Sequence, residues 1–558
     1  MDLFYLISKR REEMKIGKKL FMRLIFMALF LIVVSGLLVA GGTQEGKSEG
    51  TGDEKAETVF RWASKTECTN WDPHATNVSA HQAFQLQVMD LLVDYTAELK
   101  LRPMLAKSWK ALDDTTWEVK LREGVTFHDG SPFTADDVVF SLKRAKDPLS
   151  EMKSSYAFTD VIKIDDYTVH ILTDGPNPTL IPSLTNAVMV SKKWYEEHGI
   201  VDLPDYKSGL ESYAVTHAMG TGSFMLESVE PGVKTVFVKN PNWWALDVYP
   251  ELNHNLDRVV YTPITNDATR VAALLAGEVD FVLDPPIQDL ARIDNDPDLK
   301  LMQVPELRTL FFAMNQKRDE LLSSNIKGKN PFKDVRVRRA MYLAMDHEAI
   351  HKAVMEELSF PANIPIPPGI NGYARDLDNA IPEVNISKAK ALLAEAGYPN
   401  GFEVTLDTPN DRYINDEKIS QAYVGMLAKI GIKVNLDSQS KALHFPKITG
   451  RTTDFYLLGW GYSVLDVINF FQSIMLPDSP WNGSDIDIPE ITDKIGRIQR
   501  ELDNDARDRM IREVMESIVN DQLFLPVHHQ IVVSGMRNNV TFVLMPNMLF
   551  RFADVRMK

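Results

Sequence analysis

The residues best suited to bond chemistry are His347, Glu348 and His351, which form a literal H-E-x-x-H. On a helix the two histidines share a face and can hold zinc with Glu348 as general base, the pattern of a zinc hydrolase. Asp346 reads as the N-cap of that helix, which sets His347 at its first position, and no third ligand follows at a useful spacing. Val335–Met345 reads as a separate amphipathic helix, so the motif falls on a connecting segment. His528 and His529 lie in the strand-like run Phe524–Val533, where neighbours point to opposite faces; one packed and one exposed histidine is expected. Cys68 is the only cysteine and has no basic neighbour in sequence, so it forms no internal disulfide and makes a poor nucleophile. Gly220-Thr221-Gly222-Ser223-Phe224 lacks the last glycine of a dinucleotide fingerprint and the lysine of a P-loop, and reads as a turn. No G-x-S-x-G element is present beyond residue 57.

The elements that would carry these residues alternate between strand and helix. Thr116–Leu121 alternates in period two, and Val161–Ile164 with Thr168–Leu172 reads as a hairpin turning at Asp165-Asp166. Thr134-Ala135-Asp136-Asp137 resembles a capping box, with Val138, Val139 and Leu142 as the apolar stripe behind it. Asn266–Ala276 reads as a helix closed by Gly277 and followed by the strand Val279–Val282. Ser387 is the expected cap of Lys388–Ala396, stopped by Gly397, and Ile419–Ile430 ends at Gly431 before the strand Ile432–Leu436. Helix-Gly-strand units of this kind mark mixed α/β lobes.

Composition narrows the class. The 558 residues are 44% hydrophobic and 25% charged, enough chain for two to four domains without metal or disulfide staples. Lys15, Lys18, Lys19 and Arg23 precede the apolar run Leu24–Ala40, and small residues follow. That order describes a secretory signal peptide, expected over residues 1–42; the run is short for a membrane span. Met14 and Met22 are alternative starts. The Gly-, Glu-, Lys- and Ser-rich tract 43–57 reads as a flexible linker. No cysteine closes the apolar run, which argues for a freely diffusing periplasmic protein without a lipid anchor. Residues 1–42 hold seven basic and three acidic residues, so their removal takes the net charge from −16 to about −20. No basic stripe is present for a nucleic acid.

Taken together, a series of segments resembles the extracytoplasmic solute-binding proteins of family 5, which bind dipeptides, oligopeptides or nickel for ABC importers. The signature stretch is Leu105–Trp109, Trp117–Gly130 and Phe133–Val138. Asp72-Pro73-His74, Gly220–Phe224, Asn240–Trp244, Leu275–Asp280, Asp334–Ala340, Ala389–Gly397 and Asp454–Trp460 follow in the family's order, so the resemblance spans roughly residues 58–545. Members tend to have an Asp-Arg-Glu-like start where this chain has Asp346-His347-Glu348, which makes the zinc motif a variant of a structural helix.

The resemblance implies an α/β, two-lobed periplasmic-binding-protein fold (type II-like, class C) with an extra domain. Lobe I would gather 58–89, 217–307 and 521–558; the extra domain would be 90–216 and lobe III 308–520. Hinge crossings are expected near Leu307–Asn315 and Val519–Val527. No catalysis and no cofactor are implied: a monomer captures a solute, closes on it and presents it to permease subunits driven by ATPases. In peptide-binding relatives an aspartate after a Gly-Trp element anchors the ligand ammonium, and Asp466 stands at that place after Gly459-Trp460-Gly461-Tyr462. Trp460, Gly461 and Tyr462 would wall the site, and the alternative for Asp466 is to cap the helix Val467–Met475. Asn77 and Ser79 lie in a loop that contacts ligand in relatives, or serve as turn residues. Peptide is the first expectation for the ligand, oligosaccharide the second, nickel or a chelate the third.

Overall fold

The computed structural model describes residues 57–558 apart from 76–77, 97, 154–155, 211, 253–254, 463 and 547–548; the side chains of 79, 80 and 207 are likewise outside the description. The expected signal peptide, all of the expected linker but its last residue, and Asn77 lie outside the described residues.

One mixed sheet of eleven strands organises the chain, with Leu299–Met314 and Leu525–Arg537 at its centre. On one side the order continues through Phe455–Gly461, Glu403–Pro409 and Lys433–Gln439. On the other it runs through Phe281–Leu283, Val59–Ser64, Arg258–Pro263, Lys234–Lys239 and Phe224–Glu230, and the eleventh strand, Ser359–Pro361, pairs with His528–Gln530 off this path. The two central strands are antiparallel and each serves both sides. Leu299–Pro305 pairs with Ile531–Arg537, Thr309–Phe312 pairs with Leu525–His529, and the register shifts between Pro305 and Thr309. Phe455–Gly461 pairs only with the Arg308–Met314 half, and Phe281–Leu283 only with Ser534–Met536. The sheet is therefore two half-sheets sharing two strands, joined at an irregularity, where bulges bend a ladder without ending it.

Both faces of the central strands are covered, so neighbouring residues enter different cores. Leu310, Phe312 and Met314 pack with Phe455 and Leu457 on one face; Phe311 and Ala313 pack with Tyr456 and Leu458 on the other. The half-sheet around Val59–Ser64 packs an aromatic core in which Trp62 lies 4.5 Å from Tyr261 and 5.2 Å from Phe84 between ring centroids. A separate antiparallel sheet orders Ala106–Asp113, Thr116–Leu121, Thr168–Leu172 and Asp160–Asp165. Its Val119, Leu121, Val169 and Ile171 bury against Val138 and Leu142 of the helix Ala135–Ala145. Thr134 starts that helix with a complete capping box: its hydroxyl accepts from Asp136 N–H, and Asp137 accepts from Thr134 N–H at 2.9 Å.

A buried ion pair ties this helix to the Asp72 loop. Arg144 donates both terminal nitrogens to Asp72 at 2.7 and 2.6 Å, Tyr206 adds a hydroxyl at 3.0 Å, and His74 Nε2 meets the Val188 carbonyl at 3.1 Å. Gly220 and Gly222 run against the backbone of Val88, an approach any Cβ would block. That contact, not phosphate binding, is what the glycine-rich turn provides.

Several local expectations shift. The helix Ile386–Glu395 is capped by Asn385, whose side chain accepts from Lys388 N–H at 2.9 Å, and not by Ser387. The strand expected at Val279–Val282 forms at Phe281–Leu283, because Gly277 at φ 74° and a reversal through Asp280 come first. The second crossing starts as helix: Asn504–Asn520 precedes the strand from Leu525. His528 and His529 are both buried, at 1% exposure each, because Leu525–Arg537 is a central strand with both faces covered. His529 sits between the Thr309 hydroxyl at 2.8 Å and Asp378 Oδ2 at 2.9 Å. His528 faces His347 and His351, and neither of its ring nitrogens has a partner among the described residues. Burial pulls its pKa from the ordinary 6.5 down to about 3, so it is neutral when folded. An unfolded histidine gains a proton below 6.5 while the folded one does not, so this group withdraws stability as pH falls from about 6.5 toward 3. Urea midpoints of wild type and His528→Leu should diverge in the variant's favour by about 1.4 kcal/mol per pH unit over that window. Parallel pH profiles would show that His528 is not a buried neutral base.

Candidate functional site

The seam between the half-sheets and the four-stranded domain holds two neighbouring cavities. The inner one is small, about 40 Å³. Its walls come from five separate segments: Gln82 and Leu86 of the helix Ser79–Val88 with Leu91 after it, Asp94 with Tyr95, Thr185, Asn186 and Val188, Tyr462 with Leu465, and Met545, Leu549, Phe550 and Arg551. The outer one, about 310 Å³, opens between the loop Asp174–Thr179 with Ser183 and the facing residues Val464, Ile468, Asn469, Gln472, Gln499 and Arg500.

Each charge at the inner cavity has a partner within the chain. Arg551 donates to Asp94 Oδ2 at 2.7 Å and to the Leu86 carbonyl at 2.7 Å, while Arg102 stands 3.8 Å from the same carboxylate. Tyr95 crosses the seam, its hydroxyl meeting Thr185 and the backbone of Leu465, and burial foremost raises its pKa to about 12. Tyr462 is buried, which raises its pKa well above the usual range, and its hydroxyl donates to the Pro365 carbonyl at 3.2 Å. The remaining wall is mostly apolar, with Gln82 and Asn186 as its further polar side chains.

The structure places the expected site residues as follows. Asp466 is 3% exposed and lines neither cavity. The cation its burial demands is supplied by the chain itself: Arg507 of Asn504–Asn520 donates to both oxygens, at 2.7 and 2.8 Å. Asn371 Nδ2 and Ile468 N–H, each at 2.9 Å, complete the carboxylate's partners. The Ile468 bond lies at the turn before the short helix Ile468–Phe470, whose N-cap is Val467 and has no side-chain cap, so Asp466 is not the helix cap that was the alternative for it. Trp460 is half-buried beside Trp481, and its indole N–H donates to Asn469 Oδ1 at 2.9 Å, which fixes an amide of the outer cavity. Gly461 has the Arg308 guanidinium where a Cβ would stand, 2.9 Å away, so a side chain there would displace it. Tyr462 is the one expected wall residue that lines a cavity directly. Ser79 opens the helix that carries Gln82 and Leu86.

Sequence reasoning missed Tyr95, Asp94, Thr185, Arg551, Asp174 and Arg500. They lie far apart in the chain and carry no local motif; only the fold gathers them.

The H-E-x-x-H residues are engaged separately. His347 Nε2 meets the Pro526 carbonyl at 3.0 Å, Glu348 pairs with Lys352 at 2.7 Å on the surface, and His351 Nδ1 meets the Ser359 hydroxyl at 3.2 Å. Asp346 does cap this turn, accepting from Ala349 N–H at 2.9 Å. No group of three metal-ligating side chains assembles among the described residues. Cys68 is buried, which raises its thiol pKa far above the ordinary value.

A two-lobed fold with a solute-sized cavity in the seam defines an extracytoplasmic binding protein, and the comparisons agree. The chain belongs to the bacterial extracellular solute-binding proteins, family 5, whose model matches residues 100–481. It is 27% identical over 491 residues to heme-binding protein A of Haemophilus influenzae, covering 81% of this chain and 83% of that protein. It is 26% identical over 502 residues to the glutathione-binding protein GsiB of Escherichia coli O157:H7, covering 87% and 92%. Among solved structures it matches HbpA2 of Haemophilus parasuis with TM-score 0.78 at 24% identity, over 90% of this chain and 100% of that one. It matches DppA of Helicobacter pylori in complex with the peptide STSA with TM-score 0.67 at 23% identity, over 89% and 98%. The chain is thus the solute-binding component of an ABC importer, of a family whose members bind solutes and are not enzymes.

Arg507→Met leaves Asp466 buried with only neutral partners, and should lower stability by about 3–5 kcal/mol. Adding Asp466→Asn should recover part of that loss. Denaturant titration checks both; an additive double variant would mean that the pair is not coupled.

Proposed function

We propose that this importer component captures a short peptide or peptide-like solute in the seam between its lobes, outside the cytoplasmic membrane. The observation that carries this reading is the outer cavity of about 310 Å³, lined on one side by residues between 157 and 183 and on the other by residues between 464 and 500, so an occupant touches both. A solute that makes such contacts favours the closed state by its differential affinity, and hinge closure of periplasmic binding proteins is the standard example of that transition. Relatives named for glutathione and for peptide support the solute class.

The chain works as a monomer made of 58–89, 217–307 and 521–558 as lobe I, 90–216 as the extra domain and 308–520 as lobe III. The shared central strands form the hinge. Residues 1–42 are the secretion signal, removed to leave a periplasmic protein with no lipid anchor. Permease subunits and their ATPases receive the closed form. At the site, Tyr462 is wall, Trp460 holds Asn469, and Gly461 leaves room for Arg308. Ser79 opens the helix that presents Gln82. Asp466, through Arg507, holds the loop that carries Tyr462 and Leu465.

A thermal-shift screen of residues 43–558 against short peptides, oligosaccharides and Ni²⁺ with chelators tests this. Peptide at 100 times its Kd should stabilise the protein by about 2.7 kcal/mol. A response to sugars or chelates alone would replace the solute class.

A further inference from the structure

We infer that the hairpin 93–103 is a latch that holds the two walls of the seam together without lining the outer cavity, with Leu99 at its tip as the catch. The inference does not depend on which solute is bound. Val93–Tyr95 pairs antiparallel with Leu101–Pro103, and Thr96 N–H donates to the Lys100 carbonyl at 2.8 Å to close the turn. The base of the hairpin belongs to the four-stranded domain, where Leu92, Val93 and Leu101 join the core of Leu105 and Val119. Arg551 and Arg102 fix that base through Asp94. One end is thus anchored and the other reaches out.

What the tip reaches is the opposite wall. Leu99 packs against the apolar core that holds Leu307, Ile370, Tyr462 and Leu465. Its Cδ1 fills the space a Cβ on Gly369 would need, and Leu307 Cδ2 stands 3.5 Å from the same point. Tyr95, at the root of the turn, joins that core too, and its hydroxyl meets Thr185 on its own side and the Leu465 backbone on the other. Two features tie Leu99 to this contact and not to the turn itself. Its φ is 59°, a left-handed conformation that suits Gly or Asn and that a bulky side chain keeps only where its surroundings hold it. It also stands between the exposed Glu98 and Lys100, where a tip facing water would carry a turn-forming polar residue or glycine. Gly369 complements the knob: it has φ 96° and no side chain, which leaves the socket open. Because Leu99 lines neither cavity, its docking acts on the closed arrangement alone. The contact therefore sets how much of the ligand-free protein is closed before a solute arrives.

Hydrogen exchange of the ligand-free wild type, Leu99→Asn and Leu99→Gly tests the latch. Asn and Gly both accept a positive φ, so each keeps the turn while removing the apolar catch. Loss of one buried leucine contact should lower the closed-to-open ratio roughly tenfold, and amide exchange in 366–372 and 464–470 should quicken by the same factor. Exchange in the strands Thr116–Leu121 and Thr168–Leu172 should match wild type in both variants. Three results overturn the latch: unchanged exchange at 366–372 and 464–470, faster exchange throughout the four-stranded domain, or loosening in one variant only. No solute enters the measurement, so its outcome is separate from that of the peptide screen.

Discussion

Everything else in the molecule depends on the antiparallel pairing of Leu299–Met314 with Leu525–Arg537. Among the described residues these strands are the ladder common to both half-sheets, and from Thr309 to Met314 and along 525–536 their residues are buried on both faces. Register shifts between Pro305 and Thr309 and between Leu310 and Phe311 bend this ladder without ending it.

Buried charge reinforces the same division. Asp72 with Arg144 locks the extra domain to the start of the chain, and Asp466 with Arg507 locks the Tyr462 loop to the helix behind it. Each pair is bidentate and almost fully removed from water, so breaking it would leave a charge that nothing nearby can neutralise. Such pairs fix geometry more than they add net stability. Here they hold the two walls of the seam in position.

The fold was legible in the sequence because much of it is local. The Thr134 capping box, the Thr116–Leu121 alternation and the Gly277 and Gly431 stops each rest on a few neighbouring residues, and all appear in the structure. Errors arose where tertiary context decides. Asn385 and Ser387 are both good caps, and only the path of the preceding loop chooses between them. His528 and His529 alternate as any strand does, but alternation predicts exposure only when one face meets water. The site was less legible. Asp466 stands next to the right motif, yet the guanidinium that occupies it comes from 41 residues further along. Asp174 and Arg500 have no sequence pattern at all, since nothing but the fold brings them to one cavity.

The order in which the strands are made has a consequence for biogenesis. Leu525–Arg537 is translated after every strand it joins, so the half-formed sheet waits with the edges of Leu299–Met314 and Phe281–Leu283 open until this segment arrives. Closing contacts across so much chain is slow, and open edges in the interval invite pairing with other chains. The same delay keeps the nascent polypeptide loose and threadable for as long as its last central strand is missing, which is the state in which a translocation channel must receive it.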